Sequence, residues 1–246
     1  DAEIRHLDGY LQELDEYLAE LGIRDDTLLV LFGDHGESLD EHQIYWDHCG
    51  LYEATVHVPV IMRWPGRIPA GRRVKGLVQQ VDLMPTILEA AGLQPPDDLD
   101  GRSLWPSIRG EADGTHSVVY LSECAWQASR GIRNERYKFI RTYDPGLFVR
   151  PRRELYDLTN DPDETVNLAE QMPELADQLE YQLETWVSQK LNGRDDPMQI
   201  QLETAGLPFK RRIETILRGV GLTWEEWSNN PDRQRFDELH NKAVRV

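Results

Sequence analysis

The sequence predicts an α/β sandwich followed by a small α+β subdomain with an antiparallel sheet, and three observations carry that expectation. A continuous apolar run of strand length, Thr27 to Phe32, ends abruptly at Gly33-Asp34-His35-Gly36. Helical patterns flank this run and a second apolar run at Val58 to Arg63. Beyond Thr115 the pattern changes to short alternating segments followed by an amphipathic helix.

Taken in order, Ile4, Leu7, Leu11, Leu14, Leu18 and Leu21 alternate spacings of three and four, which puts them on one stripe of a helix that Gly22 should cap. The run Thr27 to Phe32 has no polar alternation, as expected of a strand buried on both faces of a parallel sheet. Trp64-Pro65-Gly66 should close the second strand. Val81 to Ala91 reads as a helix with Asp82 at its N-cap, Pro85 tolerated in the first turn and Gly92 at its end. Ser117 to Ser122, Arg130 to Arg141 and Glu154 to Leu158 read as short antiparallel strands, and Met172 to Leu191 as a helix. Helical pieces at Arg211 to Leu217 and Thr223 to Trp227 complete the chain. The expected divisions are 1–115, 116–193 and 194–246.

Composition excludes several function classes. A formal charge of −17 opposes a phosphate backbone, so no nucleic-acid partner is expected. No run reaches the roughly 18 apolar residues of a membrane span. Cys49 and Cys124 stand alone and read as two partly buried thiols. The chain opens on a helical pattern without an initiator Met. The expectation is therefore that Asp1 is an interior residue of a longer protein, and the sequence names no compartment.

The chemistry concentrates after the first strand, because ligand sites in open α/β sheets lie outside the carboxyl ends of strands. Asp34 and His35 there offer a carboxylate oxygen and an imidazole nitrogen to a divalent cation. Gly33 and Gly36 should let the backbone turn sharply. Asp40, Glu41, His42, Asp47 and His48 follow in one loop, and of these His48 is the candidate for facing a bound anion. The loop acids and His42 read as solvated or structural groups. His57 is expected to pack, and His6, His116 and His240 have no evident chemical neighbours. Trp46 and Trp126 could stack on a sugar or aryl group or simply pack.

These residues fall in six ordered blocks. They are Asp25 to Glu37; His48-Cys49-Gly50-Leu51-Tyr52-Glu53; Val58 to Gly66; Val81 to Leu88; Gly131-Ile132-Arg133 to Ile140; and Glu154 to Leu158 with Asp161-Pro162 to Glu164 and Asn167-Leu168. In this order they resemble the C-terminal half of the sulfatases, in the alkaline phosphatase superfamily. The resemblance implies the C-terminal part of an alkaline-phosphatase-like sandwich with Asp34 and His35 as metal ligands. His48 stands where many sulfatases have a lysine that contacts the sulfate. Ca²⁺ is the implied metal, with Mn²⁺ or another transition metal possible because His35 replaces the more common Asn. The implied substrate is a small-molecule or carbohydrate sulfate ester, attacked by a formylglycine in the N-terminal half of the same protein. Neither Cys49 nor Cys124 lies in the family's Cys-x-Pro-x-Arg motif, so this chain by itself should not turn over substrate. Asp-His also occurs in phosphonate monoester and phosphodiester hydrolases of the superfamily. A two-metal phosphodiesterase would need a further Gly-x-His-Gly, which is absent. A non-catalytic binding module with a degenerate site is the reading from another class.

Overall fold

A computed structural model describes residues 2–223, apart from 45, 147 and 220, together with Glu226. The chain divides into two compact units. One comprises Asp1–Gly36, Val56–Val119 and Arg133–Arg136, and the other Glu37–Thr55, Tyr120–Ile132 and Tyr137–Val246.

In the first unit, helix α1 (Ala2–Glu20) ends as its sequence dictates. Gly22 adopts φ +69° and donates its N–H to Ala19 O, while Ile23 donates to Leu18 O, the paired closure of a Schellman cap. The apolar stripe lies largely open, with Ile4 72% and Leu7 55% exposed. Asp15 ties the helix down by accepting from Arg24 and pairing with Arg63 at 3.1 Å.

Strand β1 (Leu29–Phe32) pairs with β2 (Val60–Arg63) in a two-stranded sheet, Val30 opposite Met62 and Phe32 opposite Val60. The pairing is antiparallel, which corrects the parallel sheet expected from the run. An unbroken apolar run reports what covers the faces and carries no information about direction. Burial on both faces is also corrected. Val30, Val60 and Met62 pack on one side against a core of Leu83, Leu104, Trp105 and Ile108, whereas Ile61 on the other side is 58% exposed.

Helix α2 (Glu53–Val56) falls mostly in the second unit, while α3 (Leu83–Ala90) and α4 (Trp105–Arg109) supply the core of the first. Pro85 sits in the first turn of α3, and Gly92, at φ +73°, closes it as Gly22 closes α1. Asp82 precedes α3 but does not cap it. A 3₁₀ turn, Gln80–Asp82, leads into the helix, and the fully buried Asp82 carboxylate looks back. It accepts the N–H groups of Gln79 (2.9 Å) and Arg102 (2.8 Å), the Thr115 hydroxyl (2.7 Å) and His116 Nε2 (2.9 Å). A buried carboxylate is stable only when its lone pairs are met, and four donors from three chain segments meet them. His116, read from sequence as lacking chemical neighbours, thus has one; the pairing spans 34 residues and leaves no local trace.

In the second unit β3 (Val118–Cys124), β4 (Ala128–Asn134), β5 (Tyr137–Asp144) and β6 (Arg153–Asp157) form an antiparallel sheet in chain order. The pair β5 and β6 sets Lys138 opposite Tyr156 and Phe139 opposite Leu155. Helix α5 (Pro173–Leu191) buries Ala176, Leu179, Leu183 and Val187, whose spacings of three and four make one face, and packs on β5 and β6. Helices α6 (Pro197–Thr204) and α7 (Pro208–Gly219) follow, α6 capped by Asp196 accepting Met198 N–H. Met198 and Leu207 bury against Ala128. The expected helical piece at 223–227 lies largely outside the described residues. No described helix is long and apolar enough to cross a membrane.

Candidate functional site

In the first unit β1 delivers Asp34 and His35 to an exposed loop. Gly33 serves less by a special backbone angle than by close approach, since a Cβ there would stand 3.3 Å from Val58 Cβ. Asp34 Oδ1 accepts the His35 N–H at 3.0 Å. His35 Nδ1 lies 2.9 Å from Gly36 O, which can only accept, so Nδ1 carries the proton and the imidazole lone pair is on Nε2. Nε2 stands 3.7 Å from Asp34 Oδ2. Two ligand atoms at bond lengths of about 2.0–2.6 Å on one cation are about 3–4 Å apart, so this donor pair fits a shared ion.

In the second unit the loop bearing His48 is closed at its base by an antiparallel bridge, Ser38 N–H donating to Asp47 O and Asp47 N–H to Ser38 O. Residues flanking such a bridge come next in register, which brings Glu37 to 3.6 Å from His48 Nδ1. Asp47 caps the turn by accepting His48 N–H at 2.7 Å. Glu41 does likewise for the N–H groups of Leu39 and Asp40, and its own backbone N–H first, then those of Asp40 and Leu39, hold its carboxyl below the usual range. Three non-glycine residues of this loop, His42, Gln43 and Trp46, have φ between 51° and 59°, a region of backbone strain. Trp46 is 62% exposed, whereas Trp126 stacks on Phe209 at 4.5 Å. His57, expected to pack, is exposed.

Behind the loop lies a buried polar network that sequence reasoning missed. His42 stacks on Tyr52 at 3.6 Å, and Tyr52 and Tyr156 both donate their hydroxyls to Glu154. Lys138, fully buried, stands 2.7 Å from Glu53 Oε1 and 2.8 Å from Glu164 Oε1, although off ideal hydrogen-bond alignment. Glu164 Oε2 also accepts the Glu53 N–H at 2.6 Å. Glu53, Lys138 and Glu164 come from three of the six sequence blocks. Their signal was the blocks themselves, but charged letters read as solvated surface.

Two groups here titrate in opposite senses. Burial first, then the Arg150 and Lys138 charges, pulls His42 down from 6.5 to about 4. Burial pushes Glu123 up from 4.5 to about 7, against the Gly50 N–H it accepts at 2.7 Å. For His42 the unfolded chain takes up its proton first as pH falls, so stability rises with pH between 4 and 6.5. For Glu123 the folded chain keeps a proton that the unfolded chain releases, so its contribution is present below 4.5 and lost as pH rises through 7. Glu123→Gln should therefore melt at higher temperature as pH rises from 4 to 6.5, and His42→Gln at lower temperature as pH rises from 4.5 to 7. Parallel pH profiles of melting temperature for the two variants would refute the assignment.

Residues 40–189 match the model of the family N-sulphoglucosamine sulphohydrolase, C-terminal. The chain belongs to this sulfatase family. Arylsulfatase K of Rattus norvegicus is 36% identical over 191 residues, covering 74% of this chain and 33% of that protein. The sulfatase chain thus spans about a third of the length of the curated relatives it matches. A protein solved in complex with its substrate D-glucosamine-2-N,6-O-disulfate superposes with a TM-score of 0.68 at 27% identity, over 80% of this chain and 40% of that one. The phosphonate monoester hydrolase of Agrobacterium radiobacter gives 0.61 at 29% identity, over 77% and 40%. Sulfatases as a family use a divalent metal and a formylglycine.

Proposed function

We propose that this chain supplies part of the active site of a sulfuric ester hydrolase whose substrate is a sulfated carbohydrate or other small-molecule sulfate ester. Asp34 and His35 are two ligands of one divalent cation, and His48 is the substrate-binding and catalytic group. The observation that carries the reading is the donor pair after β1, Asp34 Oδ2 and His35 Nε2 at 3.7 Å, with the other imidazole nitrogen committed to Gly36 O. The cation is Ca²⁺, or Mn²⁺ where the imidazole governs the preference, and when bound it stabilises charge on the sulfuryl oxygens. Asp34 brings a negative charge to the site, and His35 brings a neutral donor whose tautomer is fixed. His48 hydrogen-bonds the sulfate and gives its proton to the leaving ester oxygen. Glu37 stands beside it, 3.6 Å from Nδ1. The nucleophile, a formylglycine, comes from outside residues 1–246. In this reading residues 1–115 carry the metal loop, 116–193 form a small α+β subdomain and 194–246 an extension, of which 224, 225 and 227–246 lie outside the described residues.

The second reading, a phosphonate monoester hydrolase, is favoured by His35 in place of Asn and by the Agrobacterium radiobacter likeness. The test is turnover of an aryl sulfate against an aryl phosphonate monoester by the full-length protein. The sulfate should be hydrolysed faster, and His48→Ala should lower that rate by about 10²–10⁴-fold. Faster phosphonate turnover would transfer the chain to the second reading, and an unaffected His48→Ala would remove His48 from catalysis.

A further inference from the structure

We infer that Gln80 is a positioning residue that clamps the Asp34–His35 loop into its metal-binding geometry; the inference rests on the proposed metal site. The Gln80 side-chain amide donates from Nε2 to Gly33 O at 2.7 Å and to Asp34 O at 2.9 Å. Both partners are carbonyls that can only accept, so the nitrogen must face them, and its two N–H groups match the two acceptors.

These carbonyls belong to the peptide planes on either side of the Asp34 Cα. Holding both planes with one nitrogen fixes the backbone torsions between them and therefore the direction of the Asp34 Cα–Cβ bond. His35 begins at the second of these planes, so its backbone N–H, which donates to Asp34 Oδ1, is fixed with it. Both proposed ligands are oriented through one amide.

The clamp is itself anchored. Gln80 opens the 3₁₀ turn that ends at Asp82, and Asp82 is fully buried with its carboxylate bonded to Gln79 N–H, Arg102 N–H, Thr115 and His116. The Gln79 side chain accepts the Asp82 N–H in return, completing a capping box. Rigidity thus runs from a buried carboxylate through one turn of backbone to an exposed loop. Asp34 and His35 are exposed and would otherwise lose conformational freedom on binding a cation. Ordering them beforehand removes that cost from the binding step.

The test is metal titration of the metal-free full-length protein with Ca²⁺ and with Mn²⁺, the latter followed by its electron paramagnetic resonance spectrum. The proteins compared are wild type, Asp34→Ala, Gln80→Ala and Gln80→Glu. Both Gln80 variants should bind about tenfold more weakly, the low end for loss of a group that orients a ligand. The Mn²⁺ spectrum should broaden as the site becomes heterogeneous, while the melting temperature of the metal-free protein stays that of wild type. If wild type binds through Asp34 but the Gln80 variants bind and resonate as wild type does, the clamp is wrong and the metal site stands. If Asp34→Ala binds as wild type does, the metal site itself is wrong. A lowered metal-free melting temperature with unchanged affinity would make Gln80 structural only and overturn the proposal.

Discussion

Replacing Lys138 with Met destabilises the unit that contains it by about 3–5 kcal/mol, the cost of leaving buried charge without its partner. Lys138 lies on β5 with no exposure, between Glu53 at 2.7 Å and Glu164 at 2.8 Å. Methionine fills similar volume, so the loss is electrostatic: the buried Glu164 carboxylate and the partly exposed Glu53 carboxylate remain without the cation between them. Glu164 already resists ionisation because burial raises its pKa, and Lys138 is the charge that opposes this. Urea unfolding at neutral pH measures the effect. Adding Glu164→Gln to Lys138→Met should recover part of the loss, because only the partly exposed Glu53 carboxylate then remains. A loss below about 1 kcal/mol for Lys138→Met would show that the three groups do not form a coupled ion network.

Replacing Asp34 with Ala weakens metal binding more than about 100-fold in the full-length protein, beyond what loss of a supporting residue costs. Hydrolysis falls with it unless the added metal is raised in proportion. The side chain is 86% exposed, so folding stability should move by no more than about 0.5 kcal/mol. Activity recovered by excess metal, together with an unchanged unfolding curve, is the expected signature. Full activity without added metal would remove Asp34 from the ligand set.

Features written in neighbouring residues were legible in the sequence, and those set by distant ones were not. The C-caps at Gly22 and Gly92 were legible because a Schellman closure is written within six residues. The position of Asp34 and His35 at the end of a strand was legible for the same reason, being adjacent letters after an apolar run. Strand direction was not, since the pairing of Val30 with Met62 is set by the path of the chain between them. Asp82 looked like a helix N-cap because Asp often is one, but a carboxylate that reaches Arg102, Thr115 and His116 serves long-range contacts a local reading cannot see. Lys138, Glu53 and Glu164 were invisible as a unit because each alone has the statistics of a surface residue. Glu37 was missed as the partner of His48 because the Ser38–Asp47 bridge that aligns them joins residues nine positions apart.

Asp34 and His35 are the proposed ligands of a single divalent metal site. Elemental analysis of purified full-length protein, wild type beside Asp34→Ala, tests it most directly. One divalent ion per chain is expected in wild type, and none in Asp34→Ala. Two ions per chain, none in wild type, or one retained unchanged in Asp34→Ala would contradict it.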